Sequence, residues 1–173
     1  QGPNAATNTG TGSSYTYIYS GADYGPSDAA PTNAGTYSVT VTVDADGFYS
    51  SASSSEISFI IKKATSTITA SGTITFTYNG LEQGPIESAI TGSTGAVTYS
   101  YSGTGSTNYS ATSTLPKDVG TYQVIAIVAS DANYESASST PLEFTINKAA
   151  STITATGTIT YTYNGSAQGP ATN

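Results

Sequence analysis

The stretch DVGTYQVIAIV, residues 118–128, decides the fold of this chain. An earlier copy, NAGTYSVTVTV, occupies residues 33–43. Apolar and polar residues alternate in the earlier copy, and this period of two predicts a β-strand with one buried face. The later copy is apolar at every position from Val124 to Val128. We therefore expect its strand to be central, and to be covered on both faces or to face a neighbouring module.

Several other segments alternate in the same way. Apolar residues alternate with threonine and serine from Thr67 to Tyr78, and the phase holds across Gly72. A glycine inside a strand predicts a bulge or a kink, here one that lets the strand change partners. Further alternating segments lie at residues 57–61, 97–101 and 142–146. No segment has helical periodicity, so the sequence predicts an all-β fold.

Turn signals separate these segments. The Asn-Gly pairs at Asn79–Gly80 and Asn164–Gly165 predict hairpin turns. Gly-Pro pairs follow each of them, at residues 84–85 and 169–170. Roughly seven short strands in each stretch of about 85 residues, joined by such turns, are typical of an antiparallel β-sandwich with Greek-key links.

The tyrosine near the start of the central strand predicts a specific hydrogen bond. In immunoglobulin-like sandwiches, a tyrosine in an Asp-x-Gly-x-Tyr pattern buries its ring and donates its hydroxyl to a backbone group across the corner. Such a bond contributes about 1 kcal/mol net. We therefore expect tyrosine corners at Tyr122, with Asp118 and Gly120, and at Tyr37, with Gly35. The fold expected is a tandem array of immunoglobulin-like sandwiches.

The corner belongs to a longer repeat. TITASGTITFTYNG, residues 67–80, matches TITATGTITYTYNG, residues 152–165, 85 positions later. A strand ends and a lysine appears before each copy, at Lys63 and Lys148, and we take these two lysines as the junctions between repeats. The expected organisation is a partial repeat without its first strands at 1–63, a complete repeat at 64–148, and the first strands of a third at 149–173.

The composition excludes several classes of partner. Only 9% of the residues are charged, the net charge is −7, and arginine, histidine, cysteine and methionine are absent. With four lysines there is no cationic surface for nucleic acid, and the longest apolar run is far shorter than the ~20 residues of a membrane span. Without cysteine or histidine the chain can form neither disulfides nor soft metal sites. Because cysteine and methionine, the residues most easily oxidised, are both absent, the composition suits an extracellular location.

An enzyme would have to work without a histidine base or a cysteine nucleophile. We expect none, because the candidate groups lie in turns or on alternating faces of strands. These candidates are a glycosidase pair at Glu82 and Glu87 or at Asp44 and Asp46, and a Ser-Lys dyad of Ser58 or Ser66 with Lys62 or Lys63.

Two further chemistries remain open at the junctions. Asp44 and Asp46 have the spacing of a calcium loop, but the second copy keeps only Asp131, so a turn is the preferred interpretation and calcium is the alternative. A lysine-asparagine cross-link could join Lys63 or Lys148 to an asparagine such as Asn147. Solvated linker lysines are the simpler interpretation, because no acid recurs nearby.

Tyrosine is the dominant aromatic residue, with 14 copies against four phenylalanines. Tyrosines on one strand face favour half-buried rings with solvated hydroxyls. The alternative is a flat surface that binds glycans or associates with itself. The strand tyrosines are Tyr15, Tyr17, Tyr19, Tyr99, Tyr101, Tyr161 and Tyr163.

The segments YNG…QGP, VTYSYSG, NAGTYSVTVTV and YESASSTPLEFTINKA resemble MBG-type repeats, including the kind named for a Tyr-Gly-x signature. The resemblance covers the whole chain, and its most specific part is the junction lysine followed by alanine and a Thr-Ile strand. It implies immunoglobulin-like stalk modules that occur in tandem in very large bacterial surface proteins and adhesins. Similar arrays occur in Bacteroidetes, including gliding bacteria, and in Firmicutes. The resemblance carries over no catalytic residues.

Together these features predict a structural spacer of a bacterial cell-surface or secreted adhesin, which extends a distal functional domain from the cell. Its expected partners are the neighbouring repeats of the same chain. The alternative is a repeat that itself binds glycan, or that associates with identical chains into a surface filament or layer.

Overall fold

The computed structural model describes residues 6–155, 157 and 160–169. These residues form twelve strands and no helix, arranged as two tandem units built on antiparallel sheets. The all-β prediction is therefore confirmed. The described part of the chain contains no helix long and apolar enough to cross a membrane.

The first unit is a single five-stranded sheet. Its strands run in the order β2-β1-β3-β4, and β5 also pairs with β3. All of these pairs are antiparallel. The strands are β1 (Tyr15–Gly21), β2 (Tyr24–Ser27), β3 (Gly35–Val43), β4 (Ala52–Ser53) and β5 (Ile57–Ile61).

The second unit repeats this sheet and adds a second one. Its larger sheet runs β11-β10-β12-β7, with β9 on the other edge of β10, while β6 and β8 form a separate two-stranded sheet. Here β7 is parallel to β12. The strands are β6 (Thr67–Ser71), β7 (Thr75–Thr77), β8 (Glu87–Thr91), β9 (Val97–Gly103), β10 (Gly120–Val128), β11 (Ala137–Ser138) and β12 (Leu142–Asn147).

The strand β10 is central in its sheet, as its sequence predicts, with β9 on one side and β11 and β12 on the other. One face is fully packed: Val124, Ala126 and Val128 have no solvent exposure. The other face, with Ile125 and Ile127, is only half-buried. The apolar run therefore reflects a central position in the sheet, and the second face is not closed by the described residues.

The core of the second unit lies between its two sheets. The rings of Tyr101, Tyr122 and Phe144 meet there, with centroids of Tyr122 and Phe144 5.5 Å apart. Ile68 and Ala70 on β6 close the core from the opposite sheet. Burial of each large apolar side chain contributes about 1.5–3 kcal/mol to the free energy of folding. The two-stranded β6–β8 sheet is therefore important for the stability of the second unit despite its small size.

Gly72 marks the point where the first strand of the second unit changes sheets. Before it, β6 pairs with β8, and after it, β7 pairs with β12. Gly72 has a φ of 118°, which side chains other than hydrogen rarely allow. The predicted change of partners at this glycine is confirmed.

The turn at Asn79–Gly80 is not the predicted hairpin. The Asn79 side chain accepts a hydrogen bond from the Leu81 N–H at 2.9 Å, so the chain does turn here. However, the strands on either side, β7 and β8, belong to different sheets and do not pair with each other. Asn164–Gly165 makes the same turn, with Ser166 N–H bound to Asn164 at 3.0 Å, and no described residue around it lies in a strand. An Asn-Gly pair specifies a tight local turn, and which strands then pair depends on distant residues.

A β-bulge interrupts the strand opposite β10. The pairing of β10 shifts by one residue between β11 and β12. At the shift, the buried Ser139 hydroxyl accepts a hydrogen bond from Ala126 N–H at 3.0 Å, and Ser139 N–H donates to Ala126 O at 2.8 Å. The first unit has the same arrangement between Ser54 and Val41, where Val41 N–H donates to the Ser54 hydroxyl at 3.0 Å. The serine side chain therefore takes the place of a missing ladder acceptor.

The first unit has no counterpart of the β6–β8 sheet among the described residues, and its inner face is correspondingly open. Its residues Val41, Val43, Phe59 and Ile61 are half-buried. Their counterparts 85 positions later are fully or almost fully buried: Ala126, Val128, Phe144 and Ile146.

We predict that Ser139→Ala lowers the free energy of unfolding of the second unit by about 1–3 kcal/mol, because it leaves the buried Ala126 N–H without an acceptor. The matched change Ser54→Ala in the first unit costs less, about 0.5–1 kcal/mol, because Ser54 is exposed and water can replace its hydroxyl. Urea unfolding followed by tyrosine fluorescence measures both. Equal losses in the two variants contradict this account of the bulge.

Candidate functional site at the repeat junction

Both tyrosine corners predicted from the sequence have a defined geometry. The Tyr122 hydroxyl donates to Asp118 O at 2.8 Å, and the Tyr37 hydroxyl donates to Asn33 O at 2.9 Å. The acceptor in each case is a main-chain oxygen, so the acid of one copy and the amide of the other serve equally well. Gly120 and Gly35 are the first residues of β10 and β3. The corner therefore fixes how each central strand begins.

We predict that Tyr122→Phe destabilises the second unit by about 1 kcal/mol, since it removes a partly buried hydrogen bond while the ring stays in the core. Asp118→Asn is the matched control and leaves stability unchanged, because the bond uses the backbone oxygen of residue 118. Thermal and urea unfolding of both variants check the pair. A large loss in Asp118→Asn would show that the carboxylate itself matters.

The QGP motif is a packing element that sequence reasoning did not recognise. The buried Tyr101 hydroxyl donates to Pro85 O at 2.7 Å, and burial raises the pKa of Tyr101 to about 12. A Cβ on Gly84 would lie 2.7 Å from Leu115 Cδ2 and 3.2 Å from a ring carbon of Tyr101. At residues 83–85 the chain therefore crosses closely over the tyrosine core, whereas a Cβ on Gly169 of the later copy would meet no atom within 4 Å. The one signal in the sequence was the exact repetition of Gln-Gly-Pro.

The junction between the units is held by a loop of the second unit. We call residues 131–135, between β10 and β11, the junction loop, and residues 63–66 the junction segment. The Lys63 ammonium donates to Asp131 O at 2.6 Å. Ala64 N–H donates to Asn133 O, and Ala64 O accepts from Glu135 N–H, both at 2.8 Å. Through these bonds, the junction segment runs parallel to the junction loop, and Ala64 forms a β-bridge with Tyr134.

The junction loop also reaches the first unit. The Asn133 side-chain oxygen accepts from Ala34 N–H at 2.8 Å, and its amide donates to the Asn33 side chain at 3.2 Å. Asn33 is the residue whose backbone oxygen receives the Tyr37 hydroxyl. The tyrosine corner of one unit is thus in direct contact with the junction loop of the next.

The Asp131 side chain holds the backbone of the junction loop in place by accepting hydrogen bonds from it. Its carboxylate accepts from the backbone N–H groups of Thr94, Asn133 and Tyr134 at 2.8, 2.9 and 2.9 Å. These bonds, with that from Thr94 the largest cause, lower the pKa of Asp131 to about 2. A carboxylate that accepts several backbone N–H bonds behaves in this way. Asp131 is therefore a capping residue for the loop.

Asp46 plays the same part in the first unit. Its carboxylate accepts from Phe48 N–H and Tyr49 N–H, both at 2.8 Å, and from the Thr11 hydroxyl. The hydrogen bond from Thr11 is the largest cause that lowers the pKa of Asp46. This is the turn that the sequence favoured over a calcium loop. Across residues 6–155, 157 and 160–169, no group of three or more acidic residues is placed to hold a metal ion.

The remaining candidate residues do not converge on a catalytic group. The Ser66 hydroxyl donates to Glu135 O at 2.6 Å and accepts from Ser93 N–H at 3.1 Å, so it is committed to the junction. The other candidate residues are exposed, namely Asp44, Ser58, Lys62, Glu82, Glu87, Asn147 and Lys148.

The strand tyrosines are used mainly for packing. Tyr19 and Tyr101 are buried, and each stacks against the half-buried tyrosine two residues before it at a centroid distance of 6.5 Å. The hydroxyls of Tyr15 and Tyr99 are within hydrogen-bond distance of the side chains of Asn8 and Ser88, at 2.9 and 3.1 Å. Of the seven tyrosines predicted to lie on strands, only Tyr163, which lies outside any strand, is almost fully exposed.

We predict that the junction loop loses stability as the pH falls from 3.8 towards about 2. The folded pKa of Asp131 lies below its ordinary value, so its contribution is complete above that value and disappears as the folded carboxylate takes up a proton. Hydrogen exchange of the Asn133 and Tyr134 amides across this pH range measures the effect. Asp131→Asn is expected to remove the pH dependence, whereas Asp28→Asn on an exposed loop keeps it. Unchanged pH dependence in Asp131→Asn would contradict the assignment.

Comparison with known proteins agrees with the repeat structure. A family model described as the MBG domain matches residues 2–65 and 89–150, well over half of the chain. Both matches end two residues after a junction lysine, Lys63 or Lys148. No catalytic family was found. No curated protein and no solved structure matches the chain. The chain therefore belongs to the MBG domain family, whose repeats are typical of bacterial surface proteins.

Proposed function

We propose that this chain is a load-bearing spacer in a bacterial surface protein, which holds a distal functional domain away from the cell. The proposed modules are a partial repeat at 1–63, a complete repeat at 64–148 and the start of a third at 149–173. The proposed location is the outside of the cell. A surface rich in serine and threonine, with 9% charged residues and neither cysteine nor methionine, supports that location.

The observation that carries this proposal is the parallel pairing of β7 with β12. In a tandem array, tension pulls β7 towards its N-terminal end and β12 towards its C-terminal end. Because the two strands run in the same direction, these forces slide one strand along the other. All hydrogen bonds between them must then lengthen together, which resists load better than opening them one at a time.

The bonds that would carry this load lie at both ends of the pairing. Thr145 N–H donates to Ile74 O at 3.0 Å, and Tyr78 N–H donates to Asn147 O at 2.8 Å. Between them, Phe76 lies opposite Ile146, a fully buried core residue. Sliding of the strands therefore also pulls apolar side chains out of register with the core. Separating β7 from β12 therefore costs the free energy of burying these side chains as well as that of the backbone hydrogen bonds.

The junction supports the same function. Five hydrogen bonds from Lys63, Ala64 and Asn33–Ala34 tie the first unit and the linker to the junction loop. Ordering the linker in this way restricts the swivelling that a free connection between β5 and β6 would allow. A spacer needs such restriction, because a flexible array collapses to a much shorter end-to-end distance than a stiff one.

We predict that Tyr78→Pro lowers the force needed to unfold the second unit, because proline cannot donate the bond to Asn147 O. The matched control is Tyr163→Pro, the same change at the equivalent position of the third copy, which lies outside any strand. Pulling single molecules by their ends with an atomic force microscope measures both. Each unfolding of residues 67–147 releases roughly 280 Å of chain, less the folded length.

The expected result is an unaltered unfolding force for Tyr163→Pro and a clearly lower one for Tyr78→Pro. Urea unfolding of the two variants separates a mechanical effect from general destabilisation. If wild-type molecules already unfold at the low force typical of strands that open one bond at a time, the load-bearing proposal is wrong.

A further inference from the structure

Asn79 and Asn164 are the two asparagines of this chain that precede a glycine. The same turn holds both side chains. Leu81 N–H donates to Asn79 Oδ1 at 2.9 Å, and Ser166 N–H donates to Asn164 Oδ1 at 3.0 Å. The glycines between them have φ angles of 79° and 78°. Each turn is closed by three consecutive residues, so its geometry is local.

The hydrogen bond from Leu81 prepares the Asn79 amide for nucleophilic attack. A backbone N–H needs an acceptor, so the side-chain oxygen and not the nitrogen faces Leu81. The ring that this bond closes includes the peptide bond between Asn79 and Gly80, so the amide carbon Cγ is held near the Gly80 nitrogen. Attack on Cγ places negative charge on Oδ1. The Leu81 N–H already points at that oxygen and stabilises the charge as it develops.

Glycine at position 80 contributes in two ways. Its positive φ is a conformation that other residues rarely adopt, so the glycine permits the turn. It also places no Cβ beside the attacking nitrogen. The two asparagines at the junction, Asn33 and Asn133, lack both features. Each precedes a residue with a side chain, and their own side chains bond to one another at 3.2 Å.

We propose that Asn79 is a site of spontaneous deamidation, and that its turn promotes the reaction. The Gly80 nitrogen loses its proton and forms a bond to Asn79 Cγ, which gives a succinimide ring. The bond from Cγ to Nδ2 breaks, and Nδ2 takes up a proton and leaves as ammonia. Water then opens the ring at either carbonyl carbon. The product is aspartate or isoaspartate at position 79, so one water is consumed for each ammonia released.

Deamidation at this position alters a segment that is anchored at both ends. Tyr78 N–H donates to Asn147 O at 2.8 Å, and Gln83 N–H donates to Pro116 O at 2.9 Å, so residues 79–82 connect two fixed points. Isoaspartate adds one carbon to the main chain between these points. We therefore expect the isoaspartate form of the second unit to be less stable. The reaction is a property of the turn and does not depend on the spacer function.

The first test follows the full chain in a mildly alkaline buffer, with mass spectrometry of its proteolytic fragments to separate asparagine, aspartate and isoaspartate. Asn79 and Asn164 are expected to react, while Asn33 and Asn133 stay intact over the same period. The reference is the same chain unfolded in concentrated urea. Asn79 is expected to react at least as fast in the folded chain as in the unfolded one, because the turn promotes the reaction.

The second test removes the hydrogen bond and keeps the Asn-Gly pair. Leu81→Pro lacks the N–H and is expected to slow the folded reaction at Asn79 about threefold or more. This effect is smaller than the roughly 10²–10³-fold lost with an enclosed oxyanion donor, because Leu81 is 67% exposed. Leu81→Ala keeps the N–H and is the matched control. Asn164 reacts equally in both variants and is the reference within each molecule.

The third test measures the consequence for stability. Wild-type protein aged until Asn79 has reacted is expected to unfold at a lower urea concentration than fresh protein. Asn79→Ser, aged in parallel, is the control, because its hydroxyl can accept from Leu81 N–H but cannot form the ring. Its stability is expected to change less on ageing than that of the wild type. Equal changes would contradict the effect of the longer main chain.

The proposal is overturned if Asn79 stays intact in the folded chain, or if it reacts more slowly there than in urea. It is also overturned if Leu81→Pro and Leu81→Ala react at the same rate when folded. The two variants are expected to react equally in urea. A difference there would assign the effect to the proline itself and would remove the case for the turn.

Discussion

The structure depends on covering the apolar face of the central strand β10. A single antiparallel sheet leaves that face in water, and in the second unit Ile68 and Ala70 on β6 close it. In the first unit, where the described residues include no counterpart of β6, Val41 and Val43 are half-buried, whereas Ala126 and Val128 are completely buried. Because β6 begins directly after the junction segment, the strand that completes the core is also the strand that leads out of the preceding unit.

This arrangement couples the junction to the core. The junction loop is shaped by Asp131, binds the linker through Ala64, and reaches the corner of the preceding unit through Asn133. The linker then continues into β6, and after Gly72 the chain continues into β7, which pairs with β12. The residues that contact the preceding unit are therefore directly linked to the strand that completes the core. This chain has no cysteine, so hydrogen bonds and apolar packing make these contacts without a disulfide.

Much of the fold could be predicted from the sequence because the signals were local. The alternation in NAGTYSVTVTV, the kink at Gly72 and the all-β character each depend on the period of the side chains along one strand. The contacts between distant residues were harder to predict. Asn79–Gly80 has the sequence of a hairpin but joins strands of different sheets, and Ser139, which completes the ladder at the bulge, looks like any other serine in a polar stretch. Asn133 carried no signal either, since its partners lie 99 and 100 positions away.

The sequence by itself determined most strands of the two units, the repeat of 85 residues, the positions of both tyrosine corners and the scarcity of positive charge, with four lysines and no arginine. These follow from residue type and spacing along the chain. Only the tertiary structure decided that β7 runs parallel to β12, that the junction loop binds the linker, and that the Ser139 hydroxyl completes the hydrogen bonds at the bulge beside β10. Those features depend on which distant segments meet, and the pairing energy of a strand depends on the partner it meets, which its own sequence does not specify.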